Sequence, residues 1–298
     1  MNKEVNVPTL GYNATLVIPD VEDVDKLYNP PPAASLGDLG DGEVVAIGTA
    51  VYEGIKPAPY DSHKRMCVAT ASMVGAGNLW LLNSLPRMPY PYSVLYTISG
   101  LFKTETKFGR KADWLLWVDD DVVVPDRLYE ALRSVADPEE RPFVTAVACD
   151  RSSPFRIAIW SNFDNGNGLE FRKQWVAKDP DGTPEPLCHK LMPNEMWAPT
   201  EGVHEIGVTG LCAALFHRSL FDKVPQPWFA VAPGETDMEG RISHKINTDS
   251  WWCNQMEKVG IKRYANADVS VIHLGFPMPV SPITAPTLRR VFRDRTAT

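Results

Sequence analysis

Residues Ala112–Pro125 read ADWLLWVDDDVVVP. Five apolar residues, Trp114 to Val118, run without alternation into three carboxylates, Asp119, Asp120 and Asp121. A short apolar run of this kind reads as a strand buried on both faces, as in a parallel sheet. Pro125 suits the first turn of a following helix, and Leu128, Leu132 and Val135 continue at the spacing of its buried stripe. The acidic triplet therefore falls at the carboxyl end of a central strand, where open α/β sheets bind ligands. Taken alone, such a triplet is equally well a solvated loop.

Three adjacent carboxylates repel one another and are costly to desolvate without a cation. Hard oxygen ligands suit Mg²⁺ or Mn²⁺, with a nucleotide diphosphate supplying further oxygens.

Working outward, Glu43–Tyr52 (EVVAIGTAVY) is the first clear strand, and its end offers Val51 and Glu53 as contacts to a base and ribose. His63–Leu85 reads as a crossover helix disturbed by Gly75 and Gly77, Leu95–Ile98 as a second strand, and Phe102–Arg110 as a helix. This alternation is the pattern of a mononucleotide-binding α/β half. Phe143–Cys149 is another buried strand, followed by a turn at Asp150–Pro154 and a return strand over Arg156–Trp160. Residues 161–200 are polar and weakly patterned, and read as a variable region.

Beyond Val203 a strand ends near Gly207 and Gly210, where glycine allows backbone to approach a ligand closely. Ser219–Val224 reads as a short helix, and Trp228 and Phe229 precede a loop. Thr248 is a candidate helix cap, with Asp249 in the first turn and Trp252, Met256 and Val259 as the buried stripe up to Gly260. Ala267–Leu274 is the last strand and carries His273 near its end. A helix-start acid and a strand-end histidine each also have purely structural readings.

The totals bound the class. A chain of 298 residues, 44% apolar, can bury one large α/β core or two small ones. No apolar run is long enough to span a membrane, and the N-terminus lacks the apolar segment of a signal peptide. Five scattered cysteines without a CxxC pair predict reduced thiols, no zinc site and a cytoplasmic location. A net charge of −7 disfavours a dedicated nucleic-acid binder. Residues 1–42, with Pro30–Pro32 and a Gly/Asp-rich stretch, read as an extension packing on the domain or on another subunit of a homo-oligomer. The domain proper spans 43–275, and 276–298 is a tail with a small basic run, TLRRVFRDR.

Four blocks in this order, WLLWVDDDVVVP, FVTAVACDRSSPFRIAIW, IGVTGLCAALFHRSLFDKVPQPWF and TDSWWCNQMEKVGIKRYANADVSVIHLG, resemble the GT-A glycosyltransferases of the family-2-like and Mnn9-like type found in bacterial and phage genomes. The resemblance implies a single Rossmann-like domain, a mixed sheet flanked by helices. It implies a metal-dependent transfer of sugar from a nucleotide-diphosphate donor, UDP-sugar favoured, to an acceptor hydroxyl. Asp119 and Asp121 match the DxD pair, with Asp119 on ribose or metal, Asp121 on Mn²⁺ or Mg²⁺, and Asp120 beside the donor. His273 matches a histidine that completes the metal site, and Asp249 the general base. Gly210 matches the loop at the donor sugar, and Trp228 the acceptor-side wall. The sequence departs from the pattern in two places. Thr248 stands where an acid usually precedes the base, which leaves Glu235 and Asp237 as alternatives. Lys103 or Lys107 stands in for an Arg–Asn pair ahead of the DxD. The acceptor is a glycan, a protein or a modified DNA base. The rival classes are a non-catalytic nucleotide-sugar or glycan-binding module, a nucleotidyltransferase and a two-carboxylate glycoside hydrolase.

Overall fold

The computed structural model describes residues 3–6, 15–18, 42–51, 55–84, 92–150, 156–164, 170–177, 191, 193–230, 247–274 and 279–280. In chain order these hold β1 (Lys3–Asn6), β2 (Thr15–Ile18), β3 (Val45–Thr49), α1 (Pro57–Val74), β4 (Leu79–Asn83), α2 (Tyr92–Phe108), β5 (Trp114–Val118), β6 (Val122–Val123), α3 (Leu128–Arg133) and β7 (Phe143–Val147). There follow β8 (Ile159–Asp164), β9 (Glu170–Val176), β10 (Glu195–Trp197), β11 (Val203–Ile206), β12 (Val208–Thr209), β13 (Ala213–His217), α4 (Leu220–Lys223), α5 (Thr248–Lys258), β14 (Arg263–Ser270), β15 (Ile272–Leu274) and β16 (Pro279–Val280).

The main sheet has seven strands in the order β11-β14-β7-β13-β5-β3-β4. β3 runs parallel to β4 and β5, whereas β13 runs antiparallel to both β5 and β7. All five residues of β5 are buried. Leu115 and Trp117 pack on one side with Val94, Ile98 and Leu101 of α2 and Trp252 and Met256 of α5. Trp114, Leu116 and Val118 pack on the other with Met66 of α1 and Leu128 and Leu132 of α3. Helices on both faces explain why this strand is apolar throughout rather than alternating. The result is the expected α/β class, a Rossmann-like mixed sheet flanked by helices. No helix among the described residues is long and apolar enough to cross a membrane.

Several boundaries differ from the sequence reading. The crossover helix stops at Val74, where Gly75 adopts a φ of 86°, and a parallel strand, β4, follows at Leu79–Asn83. That strand replaces the one expected at Leu95–Ile98, which lies inside α2. The segment Ser93, Val94, Thr97, Ile98 and Leu101 is buried at helical spacing, so the apolar cluster there belongs to a helix face. Helix α3 begins at Leu128, three residues beyond Pro125, with the Leu128 N–H donating to the Pro125 carbonyl. Residues 161–200 hold β9, β10 and most of β8, which join β12 in a four-stranded sheet, β10-β9-β8-β12. The last strand is two: β14 stays in the main sheet, and β15 leaves it to pair with β6 and β16. None of the four described cysteines, Cys67, Cys149, Cys212 and Cys253, is in a disulfide.

Candidate functional site

The carboxyl ends of β5 and β7 and the start of β13 lie on one edge of the sheet, because β13 runs antiparallel to both neighbours. Asp119 follows β5 directly, and its N–H donates to the Cys212 carbonyl at 3.0 Å. The chain then turns, and Val122 and Val123 pair antiparallel with Ile272 and His273. The Leu274 N–H donates to the Asp121 carbonyl at 2.8 Å. This pairing brings His273 Nε2 to 3.2 Å from Asp121 Oδ1.

The other ring nitrogen of His273 lies 3.0 Å from the Cys149 carbonyl oxygen. A carbonyl only accepts, so Nδ1 carries hydrogen and Nε2 is the nitrogen turned to Asp121. An imidazole oriented in this way through a backbone carbonyl is the usual support of a metal-binding histidine. Burial works against charge on this ring, but the Cys212 sulfur and the Asp121 carboxylate outweigh it and its pKa is raised.

Asp119 Oδ1 accepts a 2.9 Å hydrogen bond from the Trp117 indole. Burial, and then the carboxylates of Asp121 and Asp249, push its pKa up to about 8. Asp249 enters from the start of α5. The N-cap there is Asn247, whose side chain accepts from the Ser250 N–H at 2.8 Å; Thr248, expected as the cap, is instead a buried first-turn residue. Trp252 and Met256 are buried as expected, while Val259 is exposed because the helix has ended. Asp249 Oδ2 stands 3.4 Å from the Leu211 N–H, and a Cβ added at Gly210 would lie 3.8 Å from the same oxygen. Asp119, Asp121, Asp249, Gly210 and His273 are thus brought to one edge.

The remaining expected site residues are placed as follows. Val51 lies past the end of β3, its N–H donating to the Ser84 hydroxyl at 2.8 Å, and Glu53 lies outside the described residues. Asp120 is half-buried between its two neighbours. Trp228 packs against Phe102 and Phe221 and donates its indole N–H to the Val224 carbonyl. Lys103 and Lys107 lie on α2, and Lys107 rests over Phe108. Glu235, Asp237 and the basic run near the C-terminus fall outside the described residues.

Four residues near this edge were not singled out from the sequence. Cys149 and Cys212 flank the His273 ring, the Cys212 sulfur at 3.9 Å from Nδ1. Asp150, first read as a turn residue, stands at the end of β7 with its pKa raised by burial. His63 of α1 is buried and bonded at 2.8 Å to the Val122 carbonyl, just after the triplet. Only the strand-end position of Asp150 carried a usable signal.

Among the described residues, no group of three or more His, Cys, Asp and Glu side chains is arranged to hold a metal ion. A cation bound to a nucleoside diphosphate needs fewer protein ligands, because phosphate oxygens and water complete its shell. The 3.2 Å between Asp121 Oδ1 and His273 Nε2 is near the roughly 3 Å that separates adjacent ligands of an octahedral ion with ~2.1 Å bonds. Asp121 and His273 are thus the two residues that could hold such a cation.

No family model matches the sequence, and no curated protein matches it. Among solved structures the chain is similar to A197 from STIV, at 13% identity and a TM-score of 0.41, over 77% of this chain and 85% of that one. It is also similar to a glycosyltransferase involved in the glycosylation of the major capsid of PBCV-1, at 14% identity and a TM-score of 0.28, over 60% of this chain and 62% of that one.

Proposed function

We propose that this protein is a metal-dependent glycosyltransferase that moves a sugar from a nucleotide-diphosphate donor, with UDP-sugar favoured, to an acceptor hydroxyl. The observation that carries the reading is the contact of Asp121 with His273 at the carboxyl end of β5, with Asp249 directed to the same edge.

Asp121 and His273 would hold Mn²⁺ or Mg²⁺, which when bound neutralises charge on the leaving nucleoside diphosphate. The Cys149 carbonyl keeps the imidazole turned the right way for that role. Asp249, in the first turn of α5, accepts the proton of the acceptor hydroxyl. With a base in that role the transfer inverts the anomeric centre. Gly210 sits beside this base, where a Cβ would press on that of Ala158 at 3.2 Å, so glycine keeps the backbone in place there.

The test is donor turnover by the purified protein. UDP-, GDP-, TDP- and CMP-sugars are supplied with Mn²⁺, Mg²⁺ or EDTA, and released nucleotide is measured. Metal-dependent hydrolysis of one donor supports the proposal. Silence across the panel, with no metal-dependent thermal shift from any nucleotide, removes it in favour of a binding module.

A further inference from the structure

We propose that the outer face of α5 is a saccharide-binding site: a recess beside Trp251 that seats a sugar unit of a glycan, on the side of the helix turned away from Asp249. The inference goes beyond the donor reading and does not depend on it.

Trp251, Asn254, Gln255 and Lys258 recur at i, i+3, i+4 and i+7, so they share one face of α5. Asp249 lies two residues before Trp251, about 200° round a helix of 3.6 residues per turn. On its side of the helix, Asp249 meets the Leu211 N–H and Cys253 meets the Thr209 carbonyl. The outer face instead forms a recess of about 380 Å³ together with Glu257 and with Arg172 of β9. That volume is at the small end of the roughly 300–1,000 Å³ of ligand sites, the end that matches a sugar unit or two.

The walls are held before any ligand arrives. The Trp251 indole N–H donates to the Pro227 carbonyl at 2.8 Å, which fixes the ring. Arg172 Nη2 donates to Glu257 Oε2 at 2.9 Å and to Asn254 Oδ1 at 3.1 Å. The buried Arg263 donates to the same Glu257 oxygen at 3.3 Å. A guanidinium only donates, so the Asn254 atom it meets is the carbonyl oxygen and the amide nitrogen is turned the other way. These bonds leave Asn254 Nδ2 and Glu257 Oε1 without a partner among the described residues. Among those residues Lys258 Nζ meets Gln255 Oε1, at 3.2 Å, and the Trp251 ring, 5.7 Å from its centroid. The lysine is exposed and on a flexible stem, so a ligand displaces it from the ring at little cost.

The mixture of groups indicates the ligand. Sugar hydroxyls donate and accept at once, and a sugar ring has a C–H face that packs on an aromatic surface. Asn254 Nδ2 and Lys258 Nζ supply donors, Glu257 Oε1 an acceptor, and Trp251 the flat apolar wall, all in residues that line the recess. A phosphate or carboxylate ligand fits less well, because the Glu257 carboxylate would repel it.

The experiment follows the Trp251 indole N–H in two-dimensional ¹H–¹⁵N spectra of the whole chain, the signal being assigned by its loss in Trp251→Phe. Maltose, cellobiose, lactose and N,N′-diacetylchitobiose are each titrated to about 20 mM, where even a millimolar Kd gives near-saturation. One of the four is expected to move that signal along a saturating curve. Its Kd, from ligand-observed spectra, is expected to rise about tenfold or more in Trp251→Ala, to stay within about threefold in Trp251→Phe, which keeps an aromatic face, and to be unchanged in Asp249→Asn. No movement of the Trp251 signal with any of the four overturns the inference, and that reading needs wild type alone. An unchanged Kd in folded Trp251→Ala overturns it as well. So does an equal loss in Asp249→Asn, which would seat the sugar at the other face of the helix. An equal movement with inorganic phosphate overturns it in favour of an anion site. No readout uses donor turnover, so failure here leaves the donor reading standing, and failure of that reading leaves this one.

Discussion

His273 Nε2 lies 3.2 Å from Asp121 Oδ1 because the strand carrying the histidine is hydrogen-bonded, residue against residue, to the strand that follows the acidic triplet. The Leu274 N–H on the Asp121 carbonyl locks that register. A slip of one residue would turn His273 to the other face.

Asp121→Asn and His273→Ala should each abolish the metal-dependent part of donor turnover, lowering it on the order of 100-fold. The same variants should lose the rise in melting temperature that Mn²⁺ with UDP gives the wild type. Wild-type-like turnover in Asp121→Asn would remove Asp121 from the site.

Asp119→Asn should make the metal-free protein more stable at neutral and alkaline pH. The Asp119 carboxyl has a folded pKa raised from 3.8 to about 8, so between those values the native state binds more protons than the unfolded chain. Stability then falls as pH rises through this window, and the penalty is full above about 8. The Asn side chain still accepts from Trp117 and carries no charge. Urea melts at pH 5 and 8.5 decide it: a variant no more stable than wild type at pH 8.5 contradicts the assignment.

Asp249→Asn should bind donor with near-normal affinity and fail to transfer. The amide oxygen can still face the Leu211 N–H, so the loop is kept while the proton acceptor is lost. Ordinary transfer by this variant places the base elsewhere, with Glu235 and Asp237 the next to test.

His63→Gln should flatten the acid limb of stability. Burial lowers the His63 pKa below 6.5, so the unfolded chain takes up the proton first. Its contribution is complete above about 6.5 and is lost as pH falls from there through the lowered folded value. His217, lowered chiefly by burial as well, adds to the same limb. Melting temperatures from pH 8 to 5 for wild type and His63→Gln measure the difference; superimposable curves exclude the His63 share.

Gly210→Ala should cost activity more than stability. Its Cβ would lie 3.2 Å from that of Ala158, a group with no torsion to swing aside, so the backbone beside Asp249 must shift. A roughly tenfold drop in transfer with a melting point lowered by only a few degrees is expected. Unchanged kinetics would show that the loop does not abut the reacting sugar.

Local sequence was enough for the elements whose burial is extreme. WLLWV followed by three aspartates reads as a strand covered on both faces, since five consecutive apolar residues need two apolar layers. Asp249 at a helix start was legible for a similar reason, the turn of α5 being set by neighbours within four residues. Local pattern misled where two periods compete. The apolar residues between Ser93 and Leu101 look like a strand over four residues and like a helix face over nine, and packing against β3 and β4 decides for the helix. The meeting of Asp121 with His273 and the carbonyl of Cys149 behind that ring depend on the pairing of β15 with β6 and on β13 running against its neighbours. Those hydrogen bonds join residues far apart in the chain, so nothing in the residues flanking either partner encodes the contact, and only the folded sheet supplies it.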